Sequence, residues 1–160
     1  MKLLTLIRHA KAETPFDCSD FDRPLSPRGE ADIIRVADRY NPAKTPQKII
    51  VSSAKRAMST AESLIRSRHY PDNILHPDRS LYSADSNQLI QLLSSQEEHI
   101  EHLALIGHNP TISELATSLS GEIIHFTPAT IVTFELNIDD WLSVSAPCGN
   151  SCYQDSPSNI

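Results

Sequence analysis

The sequence predicts an α/β fold, a single-domain three-layer α/β/α sandwich whose mainly parallel sheet ends in an antiparallel C-terminal edge. Three observations carry this. Short apolar runs alternate with amphipathic helical runs, which places helices on both faces of a parallel sheet. The runs Leu3-Leu4-Thr5-Leu6-Ile7, Ile49-Ile50-Val51 and Leu103-Ala104-Leu105-Ile106 are nearly uniformly apolar, as buried strands are. After residue 130 the alternation stops, and two β-forming stretches joined by a turn read as a hairpin. With 160 residues, 39% of them hydrophobic, the chain suits one domain with a sizeable core.

The first strand covers residues 3–7. Lys11 to Asp22 is polar and irregular, contains Pro15, and reads as a loop over the carboxyl edge of the sheet. Ser26-Pro27 opens a helix, serine as N-cap and proline in the first turn, with Ile33, Ile34, Ala37 and Tyr40 at helical spacing. Pro42 and Pro46 bound the next loop, and residues 48–52 form the second strand. A helix from Lys55 to Ser67 follows, with Ala57, Ala61, Leu64 and Ile65 on one face. Asn73-Ile74-Leu75 is a candidate short strand. Ser86 caps a helix carrying Leu89, Ile90, Leu92 and Leu93, and residues 103–107 form another strand. Thr111-Ile112-Ser113-Glu114 matches a capping box opening a helix with Ile112, Leu115, Ala116 and Leu119 on one face, and Gly121 stops it. Thr130–Leu136 is a strand, Asn137 to Asp140 a turn, and Trp141–Ala146 the return strand, with Trp141 read as core. Residues 1–146 then make the domain. Residues 147–160, rich in Ser, Asn, Pro and Gly, are expected to be a flexible C-terminal tail.

Composition excludes several classes. A net charge of −6 argues against a general nucleic-acid surface. No segment approaches the roughly 18 apolar residues of a membrane span. The run ending at Ile7 is too short for a signal peptide and is stopped by Arg8, so a cytoplasmic location is expected. Cys18, Cys148 and Cys152 form no regular framework and read as free thiols. Cys148 and Cys152 supply two of the roughly four ligands of a structural metal site, and no others are evident, so no metal is expected.

The strand ends carry the chemistry. Arg8-His9 ends the first strand, Arg56 follows the second beyond Ser52-Ser53, and His108 follows Gly107 at the end of another. Carboxyl ends of strands are where open α/β sheets bind ligands. Arginine matches phosphate oxygens with a planar fork of donors, and neutral histidine has a lone pair that can take a phosphoryl group. A cation in a helix first turn gains nothing from the helix dipole, which gives the position of Arg56 another reason. Each residue alone is ordinary; their coincidence at three strand ends is not.

Arg8-His9-Ala10 resembles the Arg-His-Gly signature of the histidine phosphatase superfamily, also called phosphoglycerate-mutase-like. Val51-Ser52-Ser53-Ala54-Lys55-Arg56-Ala57 with Thr60 resembles its second arginine motif, and Gly107-His108-Asn109-Pro110 its second histidine motif. Arg23-Pro24-Leu25-Ser26 with Gly29, and Leu81-Tyr82-Ser83-Ala84, are similar to the short SixA-type phosphohistidine phosphatase branch. The resemblance implies a metal-independent hydrolase without a cofactor. His9 would be the nucleophile, and Arg8, Arg56 and His108 the phosphate pocket. It also implies a substrate: phosphohistidine on a protein, a phosphotransfer domain being one form, with inorganic phosphate as product.

The chain departs from the superfamily at the general acid, where many members carry Leu-x-Glu and this one has Leu81-Tyr82-Ser83. A general acid is worth ~10²–10⁴-fold for a poor leaving group. Imidazole is a far better leaving group than an alkoxide, so the departure fits phosphohistidine. The alternatives are a small-metabolite phosphomonoesterase, with Asp85 or water as proton donor, and a non-catalytic phospho-ligand binding module. Asp85 also reads as a helix-cap or loop residue before Ser86. Arg23 is either a substrate contact or part of an exposed charge cluster with Asp20 and Asp22. Lys11 shapes the rim. His69, His76, His99, His102 and His125 lack a motif, and His99 and His102 with Glu97, Glu98 and Glu101 read as a solvated helix end or loop. Little room for lid insertions predicts an open pocket.

Overall fold

The computed structural model describes residues 1–159. Six strands form one sheet: β1 (Lys2–Arg8), β2 (Lys48–Ser52), β3 (Leu75–Asp78), β4 (His102–Gly107), β5 (Ile131–Leu136) and β6 (Gly149–Asp155). Four helices flank it: α1 (Pro27–Arg39), α2 (Lys55–Arg68), α3 (Ser86–Ser94) and α4 (Thr111–Ser120). The strand order is β3-β2-β4-β1-β5-β6. β3, β2, β4 and β1 run parallel, and β5 lies antiparallel to both β1 and β6.

Alternation along the central strands sends side chains to two cores. Leu4, Leu6, Leu103 and Leu105 pack with Leu89 and Leu93 of α3 and Ile112, Leu115 and Leu119 of α4. Ile7, Ala104, Ile106, Ile49 and Val51 pack on the other face with Val36 and Ala37 of α1 and Ala57, Ala61 and Leu64 of α2. This is the predicted three-layer arrangement. No helix among the described residues is long and apolar enough to cross a membrane.

Caps fix where helices start. Ser26 accepts from the Gly29 amide at 3.0 Å and Pro27 opens α1, as expected. α3 is capped by Asp85 rather than Ser86: its carboxylate takes the Gln88 amide at 2.8 Å, and Gln88 reaches back to the Asp85 amide. The predicted Thr111 capping box does not form. Pro110 holds the N-cap, Asn109 Oδ1 accepts from the Ser113 hydroxyl at 2.8 Å, and Thr111 instead donates to the Ala84 carbonyl. Gly121 ends α4 in the left-handed region at φ 74°, where glycine is favoured.

The C-terminal edge differs from expectation. Trp141–Ser143 is a short 3-10 turn capped by Asp140, not a strand. Its indole is fully buried and donates Nε1–H to the Ile100 carbonyl at 2.8 Å, which holds the segment against the core. The hairpin partner of β5 is β6, inside the segment expected to be a tail. β6 is polar, and its pairing comes from tertiary contacts. Tyr153 meets Tyr40 edge-on, and Asp155 takes a two-pronged bond from Arg39 at 2.8 and 3.1 Å. A side chain at Gly149 would collide with the Glu135 carbonyl oxygen. Gly149→Ala is therefore expected to destabilise the protein by about 1–3 kcal/mol, read as a lower denaturant midpoint.

The predicted strand at 73–75 begins at Leu75, because Asp72–Ile74 coils into a 3-10 turn. Pro77 is tolerated because β3 is an edge strand. His102 is not solvated. It opens β4 fully buried, donates Nδ1–H to the Lys44 carbonyl at 2.6 Å, and its Nε2 accepts from the Thr5 hydroxyl at 2.8 Å.

Candidate active site

The contiguous strands β2, β4 and β1 deliver Ser52, His108 and Arg8-His9 to one edge of the sheet. The His9 amide bonds the Gly107 carbonyl at 3.1 Å, tying the ends of β1 and β4 together. Thr60 of α2 accepts from the Ala10 amide at 3.0 Å and donates to the Arg56 carbonyl at 2.7 Å, so one hydroxyl links the His9 turn to the start of α2.

His9 is held in one tautomer. Its Nδ1–H donates to the Ala10 carbonyl at 2.7 Å, which leaves the lone pair on Nε2. Arg56 Nε points at that nitrogen from 3.3 Å. The His108 ring stands 5.1 Å from the His9 ring, and its Nε2 lies 2.8 Å from the Ser52 hydroxyl. Arg8 donates Nη1–H to the Phe126 carbonyl at 2.8 Å. Arg8 Nε and His108 Nδ1 are buried without a hydrogen-bond partner among the described residues. Buried polar atoms seldom stay unpaired, so both retain a free hydrogen-bonding capacity.

Burial pushes the His9 imidazole down to about 3, with His108, Arg56 and Arg8 pushing the same way. Burial, then the Arg56 charge, pushes His108 down to about 4. Burial also lowers His102. All three rings are neutral at pH 7 in the folded protein, while unfolded histidine titrates near 6.5. The unfolded chain therefore binds more protons below that pH, and stability present above it is lost as pH falls. Each ring contributes up to about 1.4 kcal/mol per pH unit, and the loss from His9 and His108 levels off near their folded values. Urea midpoints between pH 7.5 and 5 should fall accordingly; a flat profile would contradict neutral burial.

The four predicted groups Arg8, His9, Arg56 and His108 meet here. Arg23 does too, but as a partner of Asp20, to which it donates at 3.0 Å. Sequence reasoning left Asp20 in an exposed charge cluster. In the structure Arg56 donates to its carbonyl at 2.6 Å and to its carboxylate at 3.0 Å, and the Tyr82 hydroxyl donates to the same carboxylate at 2.5 Å. Tyr82 also lies edge-on to His108, ring centroids 5.6 Å apart. The Tyr82 hydroxyl, Arg23 and Arg56 hold the Asp20 carboxyl well below the usual carboxylate range, so it is ionised and has no proton to give. Ser52 was visible only as part of a motif. Tyr82 likewise stood only in a motif and Asp20 only in a charge cluster; their contacts to Arg56 and to each other carried no signal, because those partners are 36 and 62 residues apart.

A lone pair ringed by guanidinium donors and a second imidazole can accept a phosphoryl group and neutralise its charge. The chain belongs to the histidine phosphatase superfamily (branch 1), which residues 4–78 match. It is 30% identical over 118 residues to an uncharacterised protein of Mycobacterium tuberculosis, covering 71% of this chain and 70% of that one. Its fold matches the protein histidine phosphatase SixA solved with tungstate, with a TM-score of 0.84 at 24% identity over 98% of each chain. It also matches the proposed phosphohistidine phosphatase SixA of Agrobacterium tumefaciens, with a TM-score of 0.75 at 26% identity, covering 84% of this chain and 92% of that one.

Proposed function

We propose that the protein hydrolyses phosphohistidine on a protein substrate through a covalent phosphoryl intermediate on His9. His9 Nε2 attacks phosphorus in line, a P–N bond to His9 forms, and the P–N bond to the substrate imidazole breaks. The departing imidazole takes a proton from solvent. Water then attacks phosphorus, the P–N bond to His9 breaks, and inorganic phosphate leaves with Nε2 free again. Arg8 and Arg56 neutralise the charge on the equatorial oxygens and the neutral His108 donates a hydrogen bond to them, work that Mg²⁺ does in other phosphoryl-transfer sites, so no metal is required.

The observation that carries the substrate is the state of the nearby carboxylates. Asp20 is ionised and fully engaged, Asp85 is taken up in the α3 capping box, and the acid position holds Ser83. An alkoxide leaving group needs a proton donor that these residues do not offer, whereas imidazole does not. The rim of the site is exposed. Asp20, directly on the guanidinium of Arg56, is 53% exposed while Arg56 is 7% exposed. A histidine on a folded domain, such as a phosphotransfer domain, can reach such a site.

The test is phosphate release by the whole chain from a phosphohistidine protein, a phosphoserine protein and a sugar phosphate. Selective release from phosphohistidine is expected. Faster release from the sugar phosphate would move the function to a metabolite phosphatase, and phosphate binding without any release would make the site a binding module. Asp85→Asn preserves a good N-cap and is expected to leave phosphohistidine turnover within about twofold of wild type. A large loss would identify Asp85 as a proton donor.

A further inference from the structure

Ser52 is fully buried at the end of β2 and contacts no solvent. Its oxygen accepts the Ala54 amide at 3.3 Å and stands 2.8 Å from His108 Nε2. A buried hydroxyl proton needs an acceptor, and the Ala54 amide is a donor. Among the described residues the proton is left with His108 Nε2. A ring that accepts at Nε2 carries its own proton on Nδ1, and Nδ1 is the buried His108 atom without a partner. The ring stands 5.1 Å from the His9 ring, between centroids.

We infer that Ser52 is a positioning residue: its hydroxyl fixes His108 in the Nδ1–H tautomer, so that a neutral imidazole donates a hydrogen bond to the transferring phosphoryl group. Without that bond the proton is free to sit on Nε2, and the ring then presents a lone pair to the phosphoryl oxygens. The neutrality of the ring gives the choice of tautomer its effect, and the same neutrality follows from its lowered pKa. Charged groups around the ring are Arg56, Arg8 and the Asp20 carboxylate, with the neutral His9 and the Tyr82 ring completing its surroundings. The catalytic consequence rests on the phosphatase reading above; the tautomer does not.

The experiment is ¹⁵N NMR of the His108 ring in the full chain without substrate, at pH 7, for wild type, Ser52→Ala and Ser52→Thr. Wild type should show Nδ1 protonated and Nε2 bare. Ser52→Ala should lose that preference, and Ser52→Thr, which keeps the hydroxyl, should retain it. On a phosphohistidine protein, kcat should fall on the order of tenfold in Ser52→Ala, with a smaller change in KM, and recover in Ser52→Thr. A wild-type ring protonated on Nε2, or a mixture, overturns the proposal even if Ser52→Ala does not fold. So does a Ser52→Ala ring that keeps the wild-type tautomer, or one that changes tautomer with kcat unaltered. Failure of wild type to act on phosphohistidine would reject the substrate assignment and leave the tautomer to be decided by the spectrum.

Discussion

His9→Ala should abolish phosphate release, with a loss on the order of 10⁴-fold or more in kcat. In the proposed mechanism the imidazole supplies both the attacking lone pair and the atom that carries the phosphoryl group. Water placed in the cavity left behind is a weaker nucleophile with no base beside it, since His108 is engaged with Ser52 and Asp20 with Arg56. The most direct measurement is the intermediate. Wild type mixed rapidly with a labelled phosphohistidine protein should yield an acid-labile, base-stable phosphoenzyme, and the variant should yield none. Phosphoenzyme in the variant would place the nucleophile elsewhere. Its absence in both, with turnover intact in wild type, would favour direct attack by water.

Arg56→Ala is expected to cost about 10²–10³-fold in kcat/KM. The guanidinium is buried, touches the His9 lone pair through Nε, and is aimed by two bonds to Asp20. Removing it deletes one of the two guanidinium groups beside His9 and leaves the Asp20 carboxylate without its Arg56 partner. The incoming anion then meets repulsion where it had met a donor. Arg56→Lys should recover little, because an ammonium keeps the charge but cannot bond His9 and both Asp20 oxygens from one plane. Steady-state kinetics on the two variants, with melting curves to check folding, decides this. Near-wild-type activity in Arg56→Lys would mean that charge alone matters and that the fork does not.

The frame of the candidate site was legible in the sequence because it is local. Arg8 ends a strand whose apolar residues mark it as buried, His9 and His108 directly follow such strands, and Arg56 stands in the first turn of the helix that follows another, so the strand ends fix where these side chains emerge. Arg8, His9, Arg56 and His108 could thus be assigned to one sheet edge before any contact was known. The helices were legible by spacing and by caps such as Ser26-Pro27. Where two candidate caps stood side by side, as with Asp85 and Ser86, the sequence alone did not separate them. The reciprocal bond to Gln88 did.

What only the tertiary structure decided involves partners distant along the chain. β6 has no apolar alternation to announce it, because its stability comes from pairing with β5 and from contacts of Tyr153 and Asp155 with Tyr40 and Arg39. Trp141 was expected in a strand and sits in a 3-10 turn, since burying the indole and satisfying its N–H outweighs local β propensity. His102, among charged neighbours in sequence, is buried because it opens a central strand. Asp20, Tyr82 and Ser52 were ordinary polar residues until folding set them against Arg56 and His108. Hydrophobic pattern is written residue by residue and fixes the strands and the groups at their ends. Hydrogen-bond pairing across tens of residues is not, and it fixes which tautomers, charges and neighbours those groups have when substrate arrives.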